Sequence, residues 1–228
     1  MINSYAFSAA DNSWLIANYL EYTKEEADPP VFANFTSFPQ TFSTMRISNL
    51  TDFTLEIAGS NPSGQRQAYV TGTYSNSNSA KLMSAIFDIA NSTVQSLVDV
   101  PGLAYSLSFQ PMPTAITSKA KSRGGNSLGL DASDGNLFNL LLTVSWTSSD
   151  DDARVEQHSR ELFKEVEAEA KKMDLHNKYL YLNYAAEWQD PIRGYGAANK
   201  KQLQAVSRKY DPRGVFQAQV PGGFKLFD

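Results

Sequence analysis

A chain of 228 residues, 42% hydrophobic and 19% charged, is long enough to bury one large core. It holds no run of roughly 18 apolar residues, the length a membrane-spanning helix needs. Its formal charge of −4 and pI near 5.3 give no basic footprint for nucleic acid. The absence of cysteine excludes disulfides, thiolate metal sites and a cysteine nucleophile together.

The N-terminus, MINSYAFSAADNS, has neither a basic start nor an apolar stretch after it. This predicts no secretory signal and a cytoplasmic location, so the sequons at Asn34, Asn49 and Asn91 are expected to stay unmodified. Asp11 ahead of Trp14, Leu15, Ile16, Tyr19 and Leu20 predicts an N-capped amphipathic helix that ends before Asp28-Pro29-Pro30. Aromatic, β-branched and alternating runs predict strands at 31–37, 43–48, 66–74, 104–110, 136–146 and 178–184. Apolar stripes predict two long helices. One, at 79–98, carries Leu82, Met83, Ile86, Phe87, Ala90, Val94 and Leu97; the other, at 152–173, carries Val155, Leu162, Phe163, Val166, Ala170 and Met173. A third is expected at 197–209, stopping at Asp211-Pro212.

This order predicts an α+β fold: an antiparallel or mixed β-sheet covered by helices on one face, its open face forming a pocket. The whole of 1–228 reads as one unit, with 197–228 as a C-terminal helix and tail.

Alternation sorts the two faces. Phe138, Leu140, Leu142, Val144 and Trp146 are wholly apolar and belong under the helices. The opposite set is Leu137, Asn139, Leu141, Thr143 and Ser145; by the same count it is joined by Ser106, Ser108 and Gln110, by Gln67, Tyr69, Thr71 and Thr73, and by Tyr179, Tyr181 and Asn183. A merely solvated sheet face normally carries Lys and Glu, and this one carries almost none. A few polar groups among aromatics suit a small-molecule site. Its candidate residues are Tyr181, Asn183 and Gln110 for chemistry, with Tyr69, Ser108, Asn139, Leu141, Thr143 and Tyr179 contacting substrate.

Familiar catalytic motifs are missing. His158 and His176 are far apart, on or just after a helix read as solvent-facing, and form neither a metal pair nor a triad. No metal site is expected. Gly124-Gly125-Asn126-Ser127-Leu128-Gly129 has its glycines in the wrong order for a nucleotide fingerprint and reads as a plain turn.

Six stretches nonetheless form a larger pattern: SFQPMP (108–113), GGNSLGL (124–130), YLNYA (181–185), QDPIRGYG (189–196), VSRKYDPRGVFQ (206–217) and PGGFKLF (221–227). In order and spacing they resemble the C-terminal, substrate-domain half of fungal berberine-bridge-enzyme-like FAD-linked oxidoreductases of the PCMH type; residues 1–100 fit more loosely. The resemblance implies an antiparallel sheet whose open face covers the flavin, Tyr181 and Asn183 on the strand that meets flavin and substrate, and a tail packing on the FAD domain. It also implies that the chain, starting at Met1 about where that domain ends, lacks the cofactor-binding half.

Three functions compete. The first is a flavin-independent cyclase, isomerase or pericyclase of secondary metabolism. It would hold a near-attack conformer by shape and polarise a carbonyl with neutral donors such as Tyr181, Asn183, Gln110 and Tyr69. The second is the substrate half of a split oxidoreductase, with FAD supplied by a partner chain. The third is a non-catalytic binding protein. On any of them a small molecule is the expected ligand, and a homodimer or heterodimer is expected through the former FAD-domain interface around Phe216, Phe224, Leu226 and Phe227.

Overall fold

The computed structural model of the protein describes residues 1–59 and 63–227. Its first element corrects the sequence reading. Asp11 caps no helix: it accepts a hydrogen bond from the Ser8 hydroxyl at 2.9 Å, and Asn12 takes a positive φ of 46°. Those residues close a hairpin between β1 (Ile2–Ser8) and β2 (Ser13–Tyr19), so Trp14 to Tyr19 lie on an edge strand.

The strand expected at 31–37 is also replaced. Pro29-Pro30 sets up a 3-10 turn at Pro30–Phe32 that runs into α1 (Ala33–Thr36). The stretch 43–48 is irregular and leads into α2 (Leu50–Gly59), where the side chain of Asn49 accepts from the Asp52 amide at 3.0 Å. Helix α2 has no fully buried residue, and its apolar spacing is not strong enough to be read from sequence.

The remainder follows the expected order. It runs β3 (Arg66–Ser75), α3 (Ala80–Thr93) with a 3-10 extension to Leu97, and β4 (Ala104–Met112). After α4 (Thr114–Ser122) come β5 (Leu137–Trp146), α5 (Asp152–Lys172) and β6 (His176–Asn177). Three helices close the chain: α6 (Pro191–Gly194), α7 (Ala197–Tyr210) and α8 (Val215–Ala218). The six strands form one sheet in the order β2-β1-β4-β5-β3-β6, every neighbouring pair antiparallel. The fold is α+β. The strand expected at 178–184 does not form: the two-residue β6 lies just before it, and Leu182–Tyr184 form a 3-10 turn.

Two cores hold the sheet. On one face Phe138, Leu140, Leu142, Val144 and Trp146 pack against Leu82, Ile86, Ala90, Val94 and Leu97 and against Val155, Leu162, Phe163 and Val166. Each Val, Leu, Ile or Phe among them contributes about 1.5–3 kcal/mol on burial. His158 belongs to this interior, which corrects its reading as a surface residue: it faces Tyr105, with Nε2 3.2 Å from the phenol oxygen. The second core lies on the opposite face. There Leu137, Leu130, Tyr179, Ile192 and Tyr195 form the centre, with Met112, Leu182, Leu203, Phe224 and Leu226 packed around them. It draws on five of the six motif stretches, all but 206–217.

Two glycines let this second core close. A Cβ on Gly194 would sit 2.5 Å from the Lys178 carbonyl oxygen, and one on Gly129, which has a φ of +73°, would sit 2.4 Å from that of Tyr195. Only glycine permits those backbones to approach.

Candidate functional site

Residues paired across an antiparallel sheet share a face, and the register therefore sets out the open side in rows. One row runs Ala17, Ser4, Ser108, Leu141, Thr71; the next runs Ala6, Ser106, Thr143, Tyr69. Beside them Gln110, Asn139 and Thr73 align. No charged side chain stands in these rows.

Several of these residues are committed within the sheet. Ser108 and Ser4 share a hydrogen bond of 2.7 Å, and the buried Asn139 accepts at Oδ1 from the hydroxyls of Thr71 (3.0 Å) and Thr73 (3.1 Å). Leu141 is buried as well, and Tyr179 is stacked on Tyr195 in the second core with ring centroids 6.1 Å apart. Burial pushes the Tyr179 phenol up to about 12. The face is thus covered at its Leu137 end and open around Tyr69, Ser106 and Thr143.

Over that open part stands an aromatic group. The 3-10 turn Leu182–Tyr184 has three residues per turn, so Tyr184 comes back over Tyr181, edge-on at 4.7 Å. Tyr184 also meets Tyr69 edge-on at 5.8 Å, and its phenol oxygen accepts from Gln110 Nε2 at 3.2 Å. One ring therefore reaches from β3 to β4. Asn183 is exposed and donates from Nδ2 to the Tyr181 phenol oxygen at 2.9 Å. Tyr69, Gln110, Tyr181 and Asn183, all expected at the site, are brought together.

Sequence reasoning passed over Tyr184 and Gln189. An alternating strand turns Tyr184 away from the face that holds Tyr181; only a three-residue turn aligns them. Gln189 fastens the segment by bonding both the amide and the carbonyl of Thr71 and the amide of Ala186. Beside it Arg160 lies over the Trp188 ring, 4.4 Å from its centroid.

Titratable groups suited to proton transfer lie elsewhere. His158, in the core behind the sheet, is held down to about 4 by burial, against the opposing pull of Glu161. Among the described residues no cluster of three His, Asp or Glu side chains is placed to hold a metal, and no helix is long and apolar enough to cross a membrane. Gly124 and Gly125 take φ of 93° and 86° after the end of α4 and open no helix. That stretch is a turn and presents no helix N-terminus to a phosphate.

The chain is similar to parts of fungal FAD-dependent monooxygenases. It is 33% identical to sdcF of Emericella nidulans over 99% of its own length and 47% of that protein's. It is 34% identical to elcE of Phaeosphaeria nodorum over 96% of its length and 65% of the relative. With drtC of Aspergillus calidoustus it shares 34% over 92% and 40%, respectively. The chain therefore spans roughly half of these FAD-dependent relatives. No protein-family model matches it. In structure it resembles 6-hydroxy-D-nicotine oxidase of Arthrobacter nicotinovorans with a TM-score of 0.61 at 13% identity, covering 95% of this chain and 46% of that one. At that identity the likeness is one of fold.

The face fits one part of an FAD molecule. Tyr69, Tyr181 and Tyr184 supply aromatic rings, and Gln110 and Asn183 are neutral donors and acceptors, of the kind a planar heteroaromatic ring system requires. The described residues of this face offer no cation and no helix N-terminus of the kind a pyrophosphate draws on.

Proposed function

We propose that the open face is the substrate-facing wall of an FAD-linked oxidoreductase of fungal secondary metabolism, with most of the FAD held by polypeptide outside these 228 residues. The observation that carries this reading is the Tyr69–Tyr184–Tyr181 cluster standing over a row of neutral side chains, in a chain similar along nearly its whole length to FAD-dependent monooxygenases. The flavin, when bound, would supply two-electron redox chemistry. This chain's residues bind and orient: the Tyr184 phenol, placed by Gln110, and the Tyr181–Asn183 pair offer hydrogen bonds to a small, neutral, largely planar substrate. The three rings exclude water around it, which strengthens each of those bonds.

Assembly with the FAD-holding polypeptide would use the end of the second core. Phe216 is exposed there, while Phe224 and Leu226 pack inward and Phe227 lies under Arg208. The exposed apolar side chains of this region are therefore Phe216, Val206, Tyr210 and Val220 in place of the tail residues that the sequence suggests.

The test uses the chain alone and then with the FAD-holding remainder of the Emericella nidulans relative. The chain alone is expected to be colourless after incubation with FAD. Mixed with the remainder, it should form a 1:1 complex whose flavin fluorescence is quenched by nearby phenols, and Tyr181→Leu/Tyr184→Leu should restore that fluorescence without dissolving the complex. Failure to assemble, or assembly with fluorescence indifferent to both tyrosines, overturns the reading. Turnover of a small molecule by the flavin-free chain would favour the cofactor-independent cyclase or isomerase instead.

A further inference from the structure

The sheet follows a two-fold pattern. β1 and β4 lie antiparallel at the centre of the four strands β2-β1-β4-β5, with Tyr5 opposite Leu107, and half a turn about that pair exchanges β1 with β4 and β2 with β5. The register obeys the exchange: Tyr5 pairs with Ile16 as Leu107 pairs with Leu142, Phe7 with Trp14 as Phe109 with Leu140, and Asn3 with Asn18 as Tyr105 with Val144. Beyond β5 lies β3, whose chain continues through α3 into β4. Beyond β2 no further strand follows among the described residues.

Exposure records the difference. Leu142, between two strands and beneath helices, is 0% exposed, whereas its counterpart Ile16 is 56% exposed. On the other face Leu141 is 6% exposed and its counterpart Leu15 53%. The edge strand itself reads SWLIANY, with no charge and no proline. Edges that stay free in solution are normally blunted by such residues. This one has the composition of an interior strand.

We propose that the free edge of β2 receives an antiparallel strand from polypeptide outside residues 1–228, followed by a helix that packs over Ile16 on the covered face, alongside α3, whose Phe87 already meets Tyr5 and Trp14. This βα unit is the counterpart of β3 and α3, and it sets an apolar residue opposite Ile16 as Val70 stands opposite Leu142. The relatives have length to contain it, since the chain spans 47% of the Emericella nidulans protein. The inference concerns how the sheet is completed, and it stands whether or not the open face serves a flavin.

The experiment fuses to residue 1 the stretch of that relative which precedes its matched region, as long as residues 66–103, which span β3, α3 and the connection to β4. Hydrogen exchange is then followed at residues 13–19, with β5 amides as the internal control for folding. The outward-facing β2 amides are expected to slow at least ten-fold in the fusion, to lose that protection in the Ile16→Lys fusion, and to exchange freely in the unfused chain. Two results overturn the proposal: β2 exchanging equally fast in fused and unfused chains while β5 stays protected, or a concentration-dependent dimer of the unfused chain that already protects β2, which would assign the edge to a second copy.

Discussion

Gln189 holds Thr71 by both ends of its carboxamide. Nε2 donates to the Thr71 carbonyl at 2.7 Å, and Oε1 accepts from the Thr71 amide at 3.1 Å while also accepting from the Ala186 amide at 3.0 Å. A neighbouring strand would make the same pair of bonds. The side chain thus closes an edge of β3 that β6, two residues long, leaves bare, and it anchors the turn carrying Tyr181 and Tyr184.

Removing that grip should loosen the turn. Gln189→Ala is expected to destabilise the protein by about 1–3 kcal/mol, because it strands two backbone groups and a third nearby. Gln189→Glu keeps the acceptor but loses the donor to the Thr71 carbonyl, and should also weaken the fold. Urea titration gives the stability, and faster exchange of the Thr71 amide locates the change. Wild-type exchange at Thr71 in both variants would show that the clamp contributes nothing.

Acid should expose His158. Its folded-state value of about 4 lies below the ordinary 6.5 because burial disfavours the cation, while Glu161 opposes the shift and Tyr105 and Ser96 face the ring nitrogens. The unfolded chain therefore takes up this proton first. The contribution is fully present above pH 6.5, falls as pH drops from 6.5 to about 4, and levels below that, for a total of about 3 kcal/mol. Unfolding free energies measured across that window should slope less steeply in His158→Gln than in the wild type, with His176 and the paired carboxylates keeping part of the slope in both.

The two faces should answer differently to substitution. Leu142→Ala is expected to cost about 2–5 kcal/mol and Trp146→Ala about 3–5, since both are buried under the helices and Trp146 also donates to Asp152 at 2.9 Å. Tyr181→Phe and Asn183→Ala should stay within about 1 kcal/mol of the wild type, as their mutual bond is exposed, yet they should impair ligand binding. A large melting shift with unchanged affinity for these two would move the site off this face.

Gly194→Ala tests the close approach in the second core. With backbone, not a flexible side chain, in the path of the new Cβ, the expected loss is about 1–3 kcal/mol. Melting temperature is the measurement, and a neutral result would mean that the Lys178 segment gives way freely.

What could be read from sequence depended on how strongly burial dictated each residue. β5, apolar on every covered-face position, and α3 and α5, with long stripes, were legible because tertiary packing agrees with local pattern. β2 misleads because Trp14, Leu15, Ile16 and Tyr19 satisfy helical spacing equally well. Its strand form is settled by the Ser8–Asp11 turn and by β1, both outside the window that periodicity sees. At the site, alternation placed Tyr69 and Gln110 correctly on their strands. It failed at 178–184, where aromatic content suggests a strand but β3 offers pairing only at Thr73 and Tyr74. Tyr179 then turns into the second core, and Tyr184 joins Tyr181 through a geometry that alternation does not contain.

Leu137 and Phe138 are consecutive residues of one strand, yet one lies in each core. Neither core can melt while the other keeps β5 in place, so the molecule has no seam along which to come apart. Calorimetry should register a single transition whose measured enthalpy equals the van't Hoff value, and heating should release the tail that ends in Phe224 and Leu226 at the same temperature as the buried helices on the far side of the sheet.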